Sequence, residues 1–288
     1  MIETPGIYDL TDDEYHADPC DPVSASCSIL NLIDTRSPQH AMWQHPKLNP
    51  TYQPDNDKKY DLGSAFHVMI TGRGRDIVPI DAPDWRTKEA RQQRDNMYRM
   101  GKIPLLGKNY VLAKKMFQEA TIQLENHEGY VQGEPEKSMF WQENGYWFRI
   151  RPDVLATDQD VILDYKATEI SVAPESYQRH IYNSGYDLRA AFYARGYEKV
   201  MGRPLREYRF VAVEVEPPHA LAIFSLTPEA MAFAGKRVER AIGIWKGCLA
   251  TNIWPAYPRR ICYVTPPKWQ ENAQIEREIT ETSNSREN

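Results

Sequence analysis

Apolar residues recur every three or four positions in some stretches of the chain and alternate in shorter ones. From Asp61 to Thr71 (DLGSAFHVMIT) the spacing predicts a helix ending at Gly72, with Gly63 and His67 one turn apart on a single face. Between Asn109 and His127, Ala113, Met116, Phe117, Ala120 and Leu124 keep helical spacing and predict a core-facing helix. The pattern then shifts to strands. SMFWQ and YWFRIRPDVLAT flank Asn144-Gly145, a strong hairpin signal, and DVILDYK (160–166) follows as a further strand. Two helices are predicted over Pro174 to Tyr182 and Tyr186 to Met201, separated at Ser184-Gly185. Arg206 to Glu216 and His219 to Leu226 read as a second strand pair bent at Pro217-Pro218. Thr227-Pro228-Glu229 then supplies an N-cap, a first-turn proline and an early acid for a helix to about Leu249.

This intermingled order of helices and strands predicts an α/β fold with one mixed central sheet flanked by helices. Turn signals dominate the first sixty residues, apart from a short apolar helix around Ser28 to Asp34, so that region is expected to wrap the core. A single domain over 1–268 is expected. Residues 269–288, polar and without periodicity, read as a flexible tail.

Composition narrows the class of protein. The 288 residues have the apolar and charged balance of a soluble globular chain. No stretch has the length of apolar sequence a membrane span requires, and the acidic opening lacks the basic and apolar regions of a signal peptide, so a cytoplasmic location is expected. Cys20, Cys27, Cys248 and Cys262 show no zinc or iron–sulfur spacing and are expected to be reduced thiols. The net charge of −5 argues against a chain that coats nucleic acid along its whole surface, but its distribution is uneven. Residues 73–115 carry +6 and leave −11 for the remainder. That basic stretch, which includes Arg86, Lys88 and Arg91, is either a solvated helical face or a surface that tracks phosphates.

The candidate chemistry lies in the strands. Asp153 follows Arg151-Pro152, and Asp164 and Lys166 close the strand after it, so the two carboxylates can converge from neighbouring strands. Such a pair makes a hard oxygen site suited to magnesium. Strand alternation puts Lys166 on the face of Asp164, where an ammonium can orient water or hold an anionic transition state. With a bound metal this is the equipment of phosphodiester hydrolysis. D-x-K alone is a weak signal, because a same-face ion pair would look identical.

In sequence order the chain shows GIYDLTDDEYH with a following Ser-Ala-Ser, then LGSAFH, WRTKEAR, EKSMFW, RPD, DYKAT and RAAFY. This series resembles the RecE-type exonucleases, the phage and prophage branch of the RecB-like PD-(D/E)XK nucleases, over roughly residues 5–268. The resemblance implies a restriction-endonuclease-like core. It implies that Asp153 and Asp164 are metal carboxylates, Lys166 the active-site lysine, His67 a metal ligand, and the backbone carbonyl of Tyr165 part of the inner shell. Glu136, opening the first hairpin strand, lies within reach of the metal directly or through water. Arg189 and Tyr193 stand where the wider group has Q-x-x-x-Y; arginine in place of glutamine departs from that pattern but can bind phosphate in a bidentate manner.

The resemblance further implies a magnesium-dependent exonuclease, with manganese as a substitute, acting from the 5′ end on linear double-stranded DNA. Its partners would be DNA ends, a single-strand annealing protein and other copies of itself in a ring. An endonuclease or flap nuclease with the same metal site, a non-catalytic DNA-binding module and a hydrolase of RNA or nucleotides remain alternatives.

Overall fold

The computed structural model describes residues 1–53 and 61–284. Residues 54–60 of the expected wrap and 285–288 of the expected tail lie outside the described residues. The chain opens with β1 (Gly6–Tyr8), α1 (Asp12–His16), β2 (Ser24–Ala25), α2 (Cys27–Thr35) and α3 (Pro38–Gln44). Next come α4 (Asp61–Thr71), β3 (Ile77–Ile80), α5 (Lys88–Arg99), β4 (Ile103–Leu106) and α6 (Gly107–Glu125). The strand-rich middle holds β5 (Glu134–Pro135), β6 (Ser138–Glu143), β7 (Tyr146–Ile150), β8 (Val154–Ala156) and β9 (Val161–Thr168). After α7 (Pro174–Asn183) and α8 (Tyr186–Met201) follow β10 (Glu207–Glu214), β11 (Leu221–Ser225), α9 (Pro228–Thr251) and α10 (Lys268–Asn284).

The expected single sheet is divided. One sheet has the order β1-β6-β7-β2, another β11-β10-β9-β8-β5, and β3-β4 form a small parallel pair. The division follows from Arg151-Pro152, because proline has no N–H to continue a ladder. The long run read as one strand therefore ends as β7 at Ile150 and resumes as β8 at Val154 in the other sheet. Asp153 sits at that seam. The β6–β7 hairpin turns through Asn144 at φ 54° and Gly145 at φ 81°, the left-handed pair of a type I′ turn.

β9 is the central strand of the larger sheet. It runs antiparallel to β8 and parallel to β10, and the α7–α8 crossover makes the parallel connection. Both faces are covered, so Val161 to Tyr165 are all buried. Ile162 packs in a core with Phe192 of α8 and Trp245 of α9. Val161, Leu163 and Tyr165 point the other way, toward Phe66 of α4 and Met116 of α6. Each shift of one residue along β9 thus exchanges one helical layer for the other.

The N-terminal segment is woven into the sheet rather than laid over it. β1 pairs antiparallel with β6 and β2 pairs parallel with β7, so this segment supplies both edges of the four-stranded sheet. Asp18 and Arg149 lock it down, with Arg149 Nη1 2.9 Å from Asp18 Oδ1 and both side chains buried. Ser24 Oγ donates to Asp18 Oδ1 at 2.6 Å, and His45 Nε2 lies 3.3 Å from Asp18 Oδ2.

Two compact units divide the chain, Met1–Pro255 and Ala256–Asn288. The segment expected to be a frayed tail is the helix α10. Its Glu-, Gln- and Ala-containing sequence favours a helix by intrinsic propensity, and Gln274 Nε2 donates to Glu278 Oε1 one turn on at 3.0 Å. An apolar stripe is not needed for that, which is why periodicity missed it. Among the described residues no helix is long and apolar enough to cross a membrane.

Candidate active site

α4, the β5–β6 connection and the start of β8 bring His67, Glu136 and Asp153 together. One ligand atom from each lies within 4.8 Å of the others. His67 Nε2 is 3.2 Å from Asp153 Oδ1 and 3.4 Å from Glu136 Oε1. Glu136 is held in an uncommon conformation for a non-glycine residue, φ 59°, and its N–H donates to the Asp153 carbonyl at 3.1 Å. The approach of this segment to β8 depends on Gly133, where a Cβ would meet the Leu155 carbonyl oxygen at 2.5 Å. Asp153 is fixed through its second oxygen, which accepts the Tyr165 N–H at 2.7 Å.

Beside this cluster, Asp164 and Lys166 share a face of β9. Lys166 Nζ is 2.6 Å from Asp164 Oδ1 and donates to the Tyr165 carbonyl at 3.2 Å. Arg189 of α8 reaches the same carboxylate oxygen at 3.5 Å. Asp164 is almost fully buried, and its other oxygen, Oδ2, has no hydrogen-bond partner. A buried carboxylate oxygen without a partner is costly unless a cation or water completes it.

The electrostatics follow from this packing of unlike charges. Burial disfavours a charged His67, but Asp153, through charge and hydrogen bond, and Glu136 outweigh it and push the imidazole pKa up to about 9. Burial also works against the Asp153 carboxylate, yet His67, Lys166 and the Tyr165 N–H hold it well below the usual carboxylate range. Glu136 is displaced upward, chiefly because it is buried, with Arg151 and His67 opposing the shift.

Not every expected residue joins the cluster. Asp164 belongs to the adjoining Lys166–Arg189 group rather than to the three-residue set. Tyr193 is a buried core residue whose hydroxyl donates to the Arg151 carbonyl at 3.2 Å, and the Arg189 guanidinium lies over its ring at 5.8 Å. Arg86, Lys88 and Arg91 are exposed on or just before α5. Arg86 is ion-paired with Asp84, and Arg91 hydrogen-bonds the carbonyls of Thr87 and Arg86. All three side chains face solvent.

Two residues at the site were not singled out from the sequence. Arg151 is buried and places Nε 2.5 Å from Glu136 Oε2. Its position two residues before Asp153 in an extended run could have signalled a shared face. Tyr186, the first residue of α8, lies under Lys166 Nζ at 5.4 Å from the ring centre, and no local signal marks that crossover contact.

A family model described as "PDDEXK-like domain of unknown function (DUF3799)" matches residues 26–266. The chain belongs to this family. As a DUF3799 member it has the PD-(D/E)XK fold, with mixed sheets flanked by helices. No curated protein matches it. Among solved structures it resembles a protein of Eubacterium rectale provisionally named an exonuclease, at 16% identity and a TM-score of 0.60, covering 92% of this chain and 99% of that one. A phage-related exonuclease from Haemophilus somnus 129PT aligns at 11% identity and a TM-score of 0.35, over 80% of this chain and 97% of that one. The first likeness bears on the fold of the DUF3799 chain; the second is too low to add to it.

PD-(D/E)XK nucleases use divalent metals, and the donor set here fits one. Imidazole, two carboxylates and the neighbouring orphaned Asp164 oxygen are the ligands that divalent cations accept. His67, Glu136 and Asp153 would hold the ion, with Asp164 and the Tyr165 carbonyl adjoining.

Proposed function

We propose that this protein is a metal-dependent nuclease that hydrolyses phosphodiester bonds of DNA. The observation that carries the reading is Lys166, set against Asp164 and the Tyr165 carbonyl beside the His67–Glu136–Asp153 cluster. A structural ion pair alone would not require a neighbouring cluster of three metal-ligating groups and an unpartnered buried carboxylate oxygen.

When bound, the cation lowers the pKa of a water and stabilises charge that develops on the scissile phosphate. The residues of the chain divide the remaining work. The Lys166 ammonium, fixed by Asp164, orients the attacking water and balances charge on the phosphoryl oxygens. Arg189 reaches the same Asp164 oxygen as Lys166 and offers a planar fork to a phosphate. Asp153, tied to the Tyr165 N–H, keeps its charged form at the cluster. We assign magnesium, with manganese as a substitute, because carboxylate oxygens dominate the donor set.

The finer reading is an exonuclease degrading linear double-stranded DNA from the 5′ end, working in phage-type recombination beside an annealing protein. The motif series that resembles RecE-type enzymes supports it, and the provisional name of the Eubacterium rectale protein accords with the exonuclease part alone. A ring of several copies around the duplex accords with the net charge of −5, since basic groups can be concentrated inside a channel. A monomer in light scattering at working concentration would overturn the ring.

The test is digestion of linear and covalently closed circular duplex DNA with magnesium or with chelator, comparing wild type with Lys166→Ala and Asp164→Ala. Metal-dependent loss of the linear form alone, abolished by either substitution, is expected. Cutting of circles would make it an endonuclease. No cleavage of either form would leave a DNA-binding module.

A further inference from the structure

The Lys166 ammonium is held from two elements. On β9 it lies 2.6 Å from Asp164 Oδ1 and donates to the Tyr165 carbonyl at 3.2 Å. On α8, Tyr186 places its ring under Nζ, 5.4 Å from the ring centre, which is within the distance of about 6 Å at which an aromatic face attracts a cation. Arg189, one helical turn after Tyr186, reaches the same Asp164 oxygen at 3.5 Å. The first turn of α8 therefore meets both members of the Asp164–Lys166 pair.

Local structure fixes the ring. Gly185, immediately before it, sits at φ 69°, and a Cβ there would collide with Asn31 Oδ1 of α2. The turn between α7 and α8 thus closes directly on α2, and the residue that follows has little freedom. Tyr186 stacks on Phe210 of β10 at 5.8 Å with 23° between the planes, and the His180 ring of α7 meets it at 89° and 5.5 Å. Phe210 is the β10 residue in register with Asp164, so the ring is anchored on the strand beside that carboxylate.

A tyrosine against a core commonly serves packing alone. Here the Lys166 side chain is only 16% accessible, so the ring takes the place of water around the ammonium, where cation–π attraction is stronger than at an exposed site. A further carboxylate in that position would hold the ammonium but cancel its charge. The ring carries no net charge, so it restrains the cation and leaves it available to a phosphoryl oxygen.

We propose that Tyr186 is a positioning residue for Lys166, its π face holding the ammonium at the metal cluster. This inference rests on the nuclease reading and concerns how the lysine of that site is aimed. Tyr186 itself touches neither substrate nor metal.

The experiment combines steady-state hydrolysis of linear duplex DNA in magnesium with NMR of the protein free of metal and DNA. Tyr186→Phe keeps the ring face and should hold kcat within about twofold. Pentafluorophenylalanine at position 186 keeps the ring's shape but reverses its quadrupole. It should lower kcat about three- to thirtyfold with KM changed less than about twofold, and Tyr186→Leu should do the same. In a Lys166→Ala background Tyr186→Leu should cost nothing further, because the group it positions is gone. The ε-methylene protons of Lys166, assigned by their absence in Lys166→Ala, should be shifted upfield by the ring and return to ordinary values in Tyr186→Leu. Full kcat with the fluorinated ring would reduce Tyr186 to packing and overturn the proposal. An undiminished loss in the Lys166→Ala background, or unshifted methylenes in a protein that cleaves DNA, would overturn it as well. Wild type that does not cleave DNA would instead overturn the nuclease reading, and with it the catalytic part of this inference.

Discussion

Lys166 Nζ stands 2.6 Å from Asp164 Oδ1, with the Tyr165 carbonyl 3.2 Å away, so two successive residues of β9 fix this ammonium at the site. Removing it tests chemistry more than folding, because Arg189 remains to balance the buried Asp164 charge. Lys166→Ala is expected to lower the DNA hydrolysis rate by about two orders of magnitude or more. The fold should be retained, as judged by an unchanged circular dichroism spectrum. Equal activity in the variant would remove Lys166 from the mechanism.

His67 links metal binding to pH. Its pKa is raised to about 9 in the metal-free protein by Asp153 and Glu136, against burial. A ligating imidazole must be neutral, so the metal has to displace a proton below that pH. Metal affinity in the absence of DNA should therefore rise about tenfold per pH unit between pH 7 and 9 and level off above. Titration calorimetry in two buffers of different ionisation enthalpy should show about one proton released near pH 7.5. The same shift stabilises the metal-free fold, fully below the ordinary pKa of 6.5 and no longer once the pH has passed about 9. His67→Gln should lose both behaviours.

The Asp18–Arg149 pair secures the N-terminal edges of the sheet. Both side chains are buried, so removal of one leaves an uncompensated charge. Arg149→Met is expected to destabilise the protein by about 3 kcal/mol or more in urea unfolding. A loss of less than about 1 kcal/mol would mean that His45 and Ser24 satisfy Asp18 without it.

Glu143 at the end of β6 is bound by two nitrogens of Arg195, at 2.7 and 2.6 Å. Burial raises its pKa, but hydrogen bonds from Arg195 and Trp141 more than offset this and bring it to about 2, from 4.5. A depressed carboxylate contributes its stability above the unfolded pKa and loses it as pH falls through the folded one. The difference in melting temperature between wild type and Glu143→Gln should be constant above about pH 5.5 and close between 4.5 and 2. A difference independent of pH would point to packing rather than charge.

Local patterning made most elements legible before any coordinates. The helix ending at Gly72, the Asn144-Gly145 hairpin, the break at Gly185 and the Thr227 cap each rest on residues adjacent in the chain, whose conformational preferences need no distant partner. The same holds for Asp164 and Lys166, since alternation along one strand places them on one face. Tertiary structure decided what depends on long-range packing. It split the sheet at Arg151-Pro152 and made the first residues into sheet edges. It grouped His67 and Glu136 with Asp153 rather than with Asp164. It also placed Arg151 between Glu136 and Asp12. Side-chain type and spacing set which groups are available to a site, whereas their meeting depends on how separate elements bury their apolar faces against one another.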